Sequence, residues 1–288
     1  MNLQKINWSE FQTLDSVYFT PTDFAETLDG GQAFGWYRDD ENENAYTGLF
    51  DSNLFKLRLN DSGNVEFAHA SKKHKIIIAS LKKYLDIERD YDILRKKLFK
   101  IRDTHLNKEL HSRPTLRILN QPINETIIAF ICSSSKRIVQ IKQCLWLLRK
   151  NLGSHIAGDF YSLPTFEKIA NAPLEKILDC KLGFRAKYLQ QSAQKILNDS
   201  FDLNNLSSMP YLEAKKYLTG LSGIGDKIAD CILLFGAQRF EAFPVDTWII
   251  KSCEKLYGIS NPNQIRTFAK NHFGEYAGYA QQLLFASS

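Results

Sequence analysis

The run Leu221-Ser-Gly-Ile-Gly-Asp-Lys-Ile-Ala-Asp230, followed by Phe243-Pro-Val-Asp-Thr247, gathers a glycine-rich turn, a lysine and an isolated aspartate into one short stretch. Gly223 and Gly225 have access to backbone angles closed to other residues, and the turn they form is expected to face its N–H groups outward. Asp226 to Phe235 reads as the helix that follows, with Ile228, Cys231, Ile232 and Phe235 on one face. N–H groups converging at a helix N-terminus bind anions, and phosphate is the expected one. Lys227 falls in the first turn of that helix, beside the anion site. Asp246 lies 19 residues further on, after the stiff Pro244-Val245 segment and at the start of another helix. A carboxylate there caps the helix, stabilises a developing positive charge or moves a proton, and these roles can coexist.

Each feature alone has an ordinary reading. A single lysine on a helix is usually solvated, an aspartate before a helix is usually a cap, and Gly-x-Gly is common. The joint occurrence, with the lysine two residues past the last glycine and Pro-Val-Asp downstream, is what carries information.

The elements that must position these residues fall into two regions. Residues 33–70 read as an antiparallel meander: Phe55-Lys-Leu-Arg-Leu59 alternates with Lys56 and Arg58 outward, Asp61-Ser-Gly63 turns, and Val65 and Phe67 continue. Residues 75–78 and 91–99 read as helical or mixed, and Arg113-Pro114 as a crossover. Beyond it the period is helical, with helices expected over 125–132, 137–152, 165–171, 173–178, 185–198, 211–218, 226–235, 247–256 and 263–273. Gly153 is placed to end the second of these. The expected class is α+β: an antiparallel β lobe with flanking helices over 1–114, then an all-α region over 115–288.

The 288 residues, 44% hydrophobic and 12% aromatic, support a sizeable core and argue against disorder. A formal net charge of +5 permits a polyanionic partner without demanding one. The N-terminus has no apolar stretch of signal-peptide length and no window approaches a membrane span, so a soluble, intracellular protein is expected. Cys132, Cys144, Cys180, Cys231 and Cys253 have no paired spacing and read as free, buried thiols.

The glycine turn, Lys227 and the Pro-Val-Asp segment resemble the helix–hairpin–helix DNA glycosylases, and from about residue 20 onward the chain looks most like the 8-oxoguanine DNA glycosylase/AP lyases. The resemblance implies that Lys227 is the nucleophile and Asp246 the essential carboxylate. An amine is nucleophilic only when neutral, which partial desolvation and the positive end of a helix dipole favour. The resulting imine would allow β-elimination as well as base release.

Asp29-Gly-Gly-Gln-Ala-Phe-Gly-Trp36 resembles the segment in which a glycine carbonyl reads the extra N–H of the oxidised guanine, and Gly31 matches that glycine. In Tyr276-Ala-Gly-Tyr-Ala-Gln-Gln-Leu-Leu-Phe285, Gln281 matches the side chain on the base's pairing edge and Phe285 the ring that stacks on it, with Cys231 on the opposite face. Leu182-Gly-Phe-Arg-Ala186 resembles the wedge: Phe184 would fill the stack and Arg185 would bond the orphaned partner base. The bland readings of these segments are a loop glycine pair, a core helix end and a loop aromatic. Gly223, Gly225, Ser135, Lys136, Arg137, Phe184 and Arg185 complete the expected DNA contacts.

Departures from the family pattern sit in Ser133-Ser-Ser-Lys-Arg137. Animal and fungal members carry asparagines where Ser135 and its neighbour stand, and an arginine that reads the opposite cytosine where this chain has Gln140. Relaxed discrimination of the opposite base is expected. Trp248 replaces the histidine of animal members, which points to a prokaryotic branch and hence to cytoplasm or nucleoid. Relatives with an iron–sulfur cluster carry four clustered cysteines after the catalytic domain, whereas only Cys253 follows Asp246, so no cofactor or metal is expected. The expected partner is duplex DNA containing oxidised guanine, bound by a monomer. The alternatives are a non-catalytic helix–hairpin–helix DNA-binding module, or a glycosylase for another damaged base. Relatives acting on alkylated bases commonly keep the aspartate but lack the lysine.

Overall fold

The structure, a computed structural model, describes residues 6–40, 42–71, 74–200 and 202–286. Its N-terminal lobe is a five-stranded antiparallel sheet in the order β1-β5-β4-β3-β2, built from β1 (Gln12–Tyr18), β2 (Trp36–Arg38), β3 (Ala45–Phe50), β4 (Asn53–Leu59) and β5 (Asn64–His69). The meander expected over 33–70 is therefore present, with β1 added at the far edge. Asp51 and Ser52 both take positive φ (47° and 58°), the geometry of a two-residue hairpin turn between β3 and β4. Lys56 and Arg58 face outward as expected and lie over the rings of Trp8 and Phe11. The other face is buried under the helices Pro21–Asp29 and His74–Tyr84, with Phe50 stacked between Phe55 and Tyr84 at 5.0 and 3.8 Å.

The nine helices expected beyond residue 115 all form, within two residues at each end. The helix Tyr91–Phe99 also forms. Not anticipated were the helices Pro21–Asp29 and Thr104–Ser112 and the short hairpin β6 (His155–Ala157) and β7 (Phe160–Tyr161). Gly153 does end the Ile138–Leu152 helix, but with an extended φ of −78° rather than a left-handed one; a Cβ there would strike the Ser162 carbonyl.

Helices from both sides of residue 114 share the larger hydrophobic core, which takes in Phe34 and runs on from Tyr91 and Leu94 to Leu283 and Leu284. The Arg113-Pro114 crossover is pinned from the sheet lobe by fully buried Asp23, whose Oδ2 accepts from the Thr115 N–H and hydroxyl at 2.8 and 2.7 Å. Buried Arg149 bridges the lobes again, donating to the Leu49 and Tyr161 carbonyls. Among the described residues, no helix is long and apolar enough to cross a membrane.

Candidate active site

The helix Tyr211–Thr219, the turn 220–225 and the helix Asp226–Ala237 form a helix–hairpin–helix. Gly223 sits at φ +80°, and a Cβ there would lie 2.9 Å from the Tyr188 side chain, so glycine is required twice over. Gly225 is different. Its φ of −92° and ψ of −177° are ordinary extended backbone, which corrects the expectation that both glycines take angles closed to other residues. What Gly225 supplies is openness: it is exposed, and nothing lies within 4 Å of where a Cβ would project. Its carbonyl accepts from the Ala229 N–H at 2.9 Å to start the helix.

The two helices of the hairpin are locked by Asp230, fully buried one turn past Lys227. It accepts from Tyr211 Oη at 2.5 Å and Lys215 Nζ at 2.9 Å, both on the preceding helix. Burial raises the Asp230 carboxyl above its usual range, and Lys215 and Tyr211 oppose that rise.

Lys227 is half-buried, its Nζ 5.7 Å from the centre of the Phe130 ring and in hydrogen-bonding contact with Cys231 one turn further on. Burial pushes the Cys231 thiol up to about 11, with Lys227 acting against the shift and Asp230 and Asp246 adding to it. Cys231 is therefore a neutral wall at ordinary pH, not a competing nucleophile. Asp246 caps the helix Thr247–Tyr257, one oxygen accepting from the Ile249 N–H at 2.8 Å. A carboxylate has acceptor capacity beyond that single bond.

Lys227 and Asp246 line one cavity together with Gly31, Cys231, Gln281 and Phe285, the four residues singled out for base binding, and with Phe130, Phe235, Pro244 and Gln282. At about 50 Å³ it is narrow beside the ~300 Å³ at which small-molecule sites begin. Seating a purine there requires the walls to part.

Gly31 takes φ +105° and abuts both Ile138 and Phe285. The neighbouring Gln32, buried, fixes its place: Nε2 donates to the Arg117 carbonyl at 2.9 Å, Oε1 accepts from Leu119 N–H at 2.8 Å, and its carbonyl accepts from Gln121 Nε2 at 2.6 Å. Gln281 and Gln282 are both buried on the helix Ala277–Phe285, and Gln282 Nε2 donates to Gln281 Oε1 at 3.1 Å.

Besides the hairpin glycines, the residues expected to meet DNA lie on two segments laced together. Arg185 Nε donates to the Ser134 carbonyl at 2.6 Å, and Lys136 Nζ donates to the Lys181 carbonyl at 3.1 Å. Phe184, 58% exposed, projects from this rim with its ring edge on Tyr188 and the Arg185 guanidinium 4.2 Å from its centre. Ser135 and Arg137 are exposed, and Ser135 takes φ +53°. Arg185 itself is buried at 7%, a second bond running to the Leu182 carbonyl. Gln140 accepts from the Arg137 N–H at 3.0 Å and so caps its own helix.

Five residues of the site carry no sequence signal of their role: Phe130 beneath the amine, Gln32 behind Gly31, Gln282 beside Gln281, and the Lys215–Asp230 pair that locks the hairpin. Among the described residues, no three His, Cys, Asp or Glu side chains gather as a metal site. All five cysteines are buried and free.

Two family models match the chain: the 8-oxoguanine DNA glycosylase N-terminal domain over residues 17–127, and the HhH-GPD superfamily of base excision DNA repair proteins over residues 126–273, half of the chain. An N-glycosylase/DNA lyase of Saccharomyces cerevisiae is 29% identical over 211 residues, 59% of this chain and 56% of that protein. A probable N-glycosylase/DNA lyase of Methanothermobacter thermautotrophicus is 40% identical over 108 residues, 37% of this chain and 34% of that one. The chain thus spans only part of the length of these curated relatives. Among solved structures, the Clostridium acetobutylicum 8-oxoguanine glycosylase/lyase in its apo form superposes with a TM-score of 0.86 at 29% identity, covering 100% of both chains. The same protein on duplex DNA with cytosine opposite 8-oxoguanine gives a TM-score of 0.84 over 98% of each chain. With its hairpin, its Pro-Val-Asp segment and an 8-oxoguanine glycosylase-type N-terminal domain, the chain belongs to the HhH-GPD superfamily of base excision DNA repair proteins.

Proposed function

We propose that this chain is a bifunctional DNA glycosylase that excises 8-oxoguanine from duplex DNA and cleaves the resulting abasic strand by β-elimination. The observation that carries the reading is the shared cavity: an amine at a helix start, a carboxylate and the elements of a purine clamp face one space.

Everting the damaged nucleotide would bring C1′ to the amine. The Lys227 lone pair forms a bond to C1′ while the C1′–N9 bond breaks, its electron pair leaving with the purine, which takes up a proton. Asp246 stands where its negative charge offsets the positive charge that builds on C1′ and the ring oxygen. The amine then sheds a proton and the sugar opens to an iminium joining Nζ to C1′. Loss of a proton from C2′ expels the 3′ phosphate oxygen, and water hydrolyses the imine to free Lys227. The aromatic ring of Phe130 and the half-burial of Lys227 withdraw part of the amine from solvent.

The rim supplies the remaining parts. Phe184 is exposed as an apolar wedge must be, and wedges stabilise kinked duplexes. Arg185, tied to Ser134 and Leu182, holds the wedge segment in place; Arg137 and the hairpin amides meet phosphates. Duplex DNA is the partner, a monomer is the acting form, and the compartment is wherever the genomic DNA lies. Borohydride reduction in the presence of an 8-oxoguanine duplex tests the reading, because only an imine is trapped as a covalent adduct.

A further inference from the structure

The two glutamines of the cavity are not equivalent. Gln281 reaches the cavity as an amide, and an amide has a donor end and an acceptor end that differ only by a rotation. Left alone, a terminal amide rotates readily, because the torsion that carries it has broad, roughly two-fold wells. A purine's pairing edge, in contrast, is polar in one sense only. A guanine-type edge offers N1–H and N2–H donors beside the O6 acceptor. An adenine-type edge offers the N1 acceptor beside the N6–H donors. One orientation of Gln281 satisfies the first edge and the opposite orientation the second.

Gln282 breaks this symmetry. Its Nε2 donates to Gln281 Oε1 at 3.1 Å, and both side chains are buried, 3% and 7% exposed. Water is thus poorly placed to satisfy these groups in the reversed arrangement: a Gln281 that turned alone would set two amide donors against each other, so reversal requires both buried amides to turn together. The bond uses one of the two lone pairs on Gln281 Oε1 and leaves the other for an N–H of the base, while Gln281 Nε2 remains a donor for a carbonyl oxygen.

We infer that Gln282 is a positioning residue that locks the polarity of the Gln281 amide and so selects lesions with a guanine-type edge over those with an adenine-type edge. The inference rests on the function proposed above and assigns Gln282 no contact with the reacting atoms.

The test compares wild type, Gln282→Glu and Gln282→Met on duplexes carrying 8-oxoguanine or 8-oxoadenine. Each single-turnover excision rate is normalised to the same variant's strand cleavage at a preformed abasic site, which has no base to read. Glutamate can only accept, so it pulls the Gln281 donor toward itself; methionine keeps the volume and removes the lock. In Gln282→Glu the normalised 8-oxoguanine rate should fall roughly 10- to 100-fold, with the 8-oxoadenine to 8-oxoguanine ratio rising. In Gln282→Met the ratio should move in the same direction by less. Normalised rates that stay at wild-type values, or that fall for both lesions in equal proportion in both variants, would overturn the inference and leave Gln282 a packing residue. A wild-type protein that cleaves abasic duplex but excises neither lesion would count against the proposed substrate, and so is distinguishable from failure of the lock.

Discussion

Arg185 Nε donates to the carbonyl of Ser134 at 2.6 Å, joining the loop that carries the exposed ring of Phe184 to the loop that carries Ser135, Lys136 and Arg137. A buried guanidinium here fixes the two segments proposed to meet DNA relative to one another. Arg185→Met should therefore act twice. It strands the Ser134 and Leu182 carbonyls, at a cost of about 1.5–3 kcal/mol. It also weakens binding to kinked lesion duplex more than binding to undamaged duplex. Thermal unfolding and fluorescence anisotropy on both duplexes check this; unchanged stability with lost affinity would mean that the arginine is free to contact DNA alone.

Opposite-base choice follows from Gln140. Its side-chain oxygen accepts from the Arg137 N–H, and no arginine stands at that position to read a cytosine. Excision of 8-oxoguanine opposite each of the four bases should span no more than about tenfold, below the upper range a single base discrimination can reach. A cytosine preference above about a hundredfold would show that another residue does the reading.

The hairpin lock makes a stability prediction with a pH sign. Lys215→Met removes the nearest cation of buried Asp230, leaving Arg266 at 4.0 Å, and should cost up to about 3–5 kcal/mol near neutral pH, recovered in part by Asp230→Asn in the same chain. Burial already places the folded-state pKa of Asp230 above its ordinary 3.8, and removing Lys215 raises it further. Below 3.8 the carboxyl is neutral in both folded and unfolded chains, so the charge-burial cost is absent there and grows as pH rises through the folded value. The gap between Lys215→Met and wild type should thus narrow as pH falls toward 4. Denaturant midpoints at several pH values measure it, and a gap that widens on acidification would contradict the assignment.

Much of this site was legible because its chemistry is compressed into short stretches. Lys227, Asp246 and the hairpin glycines lie within one 25-residue span, and Gln281 and Phe285 are one helical turn apart. Gln282 escaped notice for a physical reason: adjacent residues on a helix point apart, and both face protein only because the helix is buried on every side from Ala277 to Leu284. Strand β1 was hidden by the register shift between Thr13 and Tyr18, which spoils the period-two pattern. Strands β6 and β7 are too short to show a period at all. The helix at Pro21, in contrast, had a readable start: Thr20 caps it by accepting from the Asp23 N–H, ahead of a first-turn proline.

Cys231 should behave as an inert wall. With burial pushing its thiol up to about 11, alkylation in the native protein at pH 8 should be negligible. Mass spectrometry after iodoacetamide treatment reports on it; rapid modification of Cys231 at pH 8 would show that the cavity opens further, or holds more positive charge, than described.

The proposed chemistry turns on a bond between the Lys227 amine and the sugar. Borohydride trapping on an 8-oxoguanine duplex, run with wild type, Lys227→Gln and Asp246→Asn, addresses it most directly. Wild type should give a covalent protein–DNA adduct. Lys227→Gln should give none while still binding the duplex, and Asp246→Asn should form adduct slower by a factor on the order of 10²–10³. An adduct of undiminished yield in Lys227→Gln, or no adduct from wild type that binds the lesion duplex, would exclude Lys227 as the attacking amine.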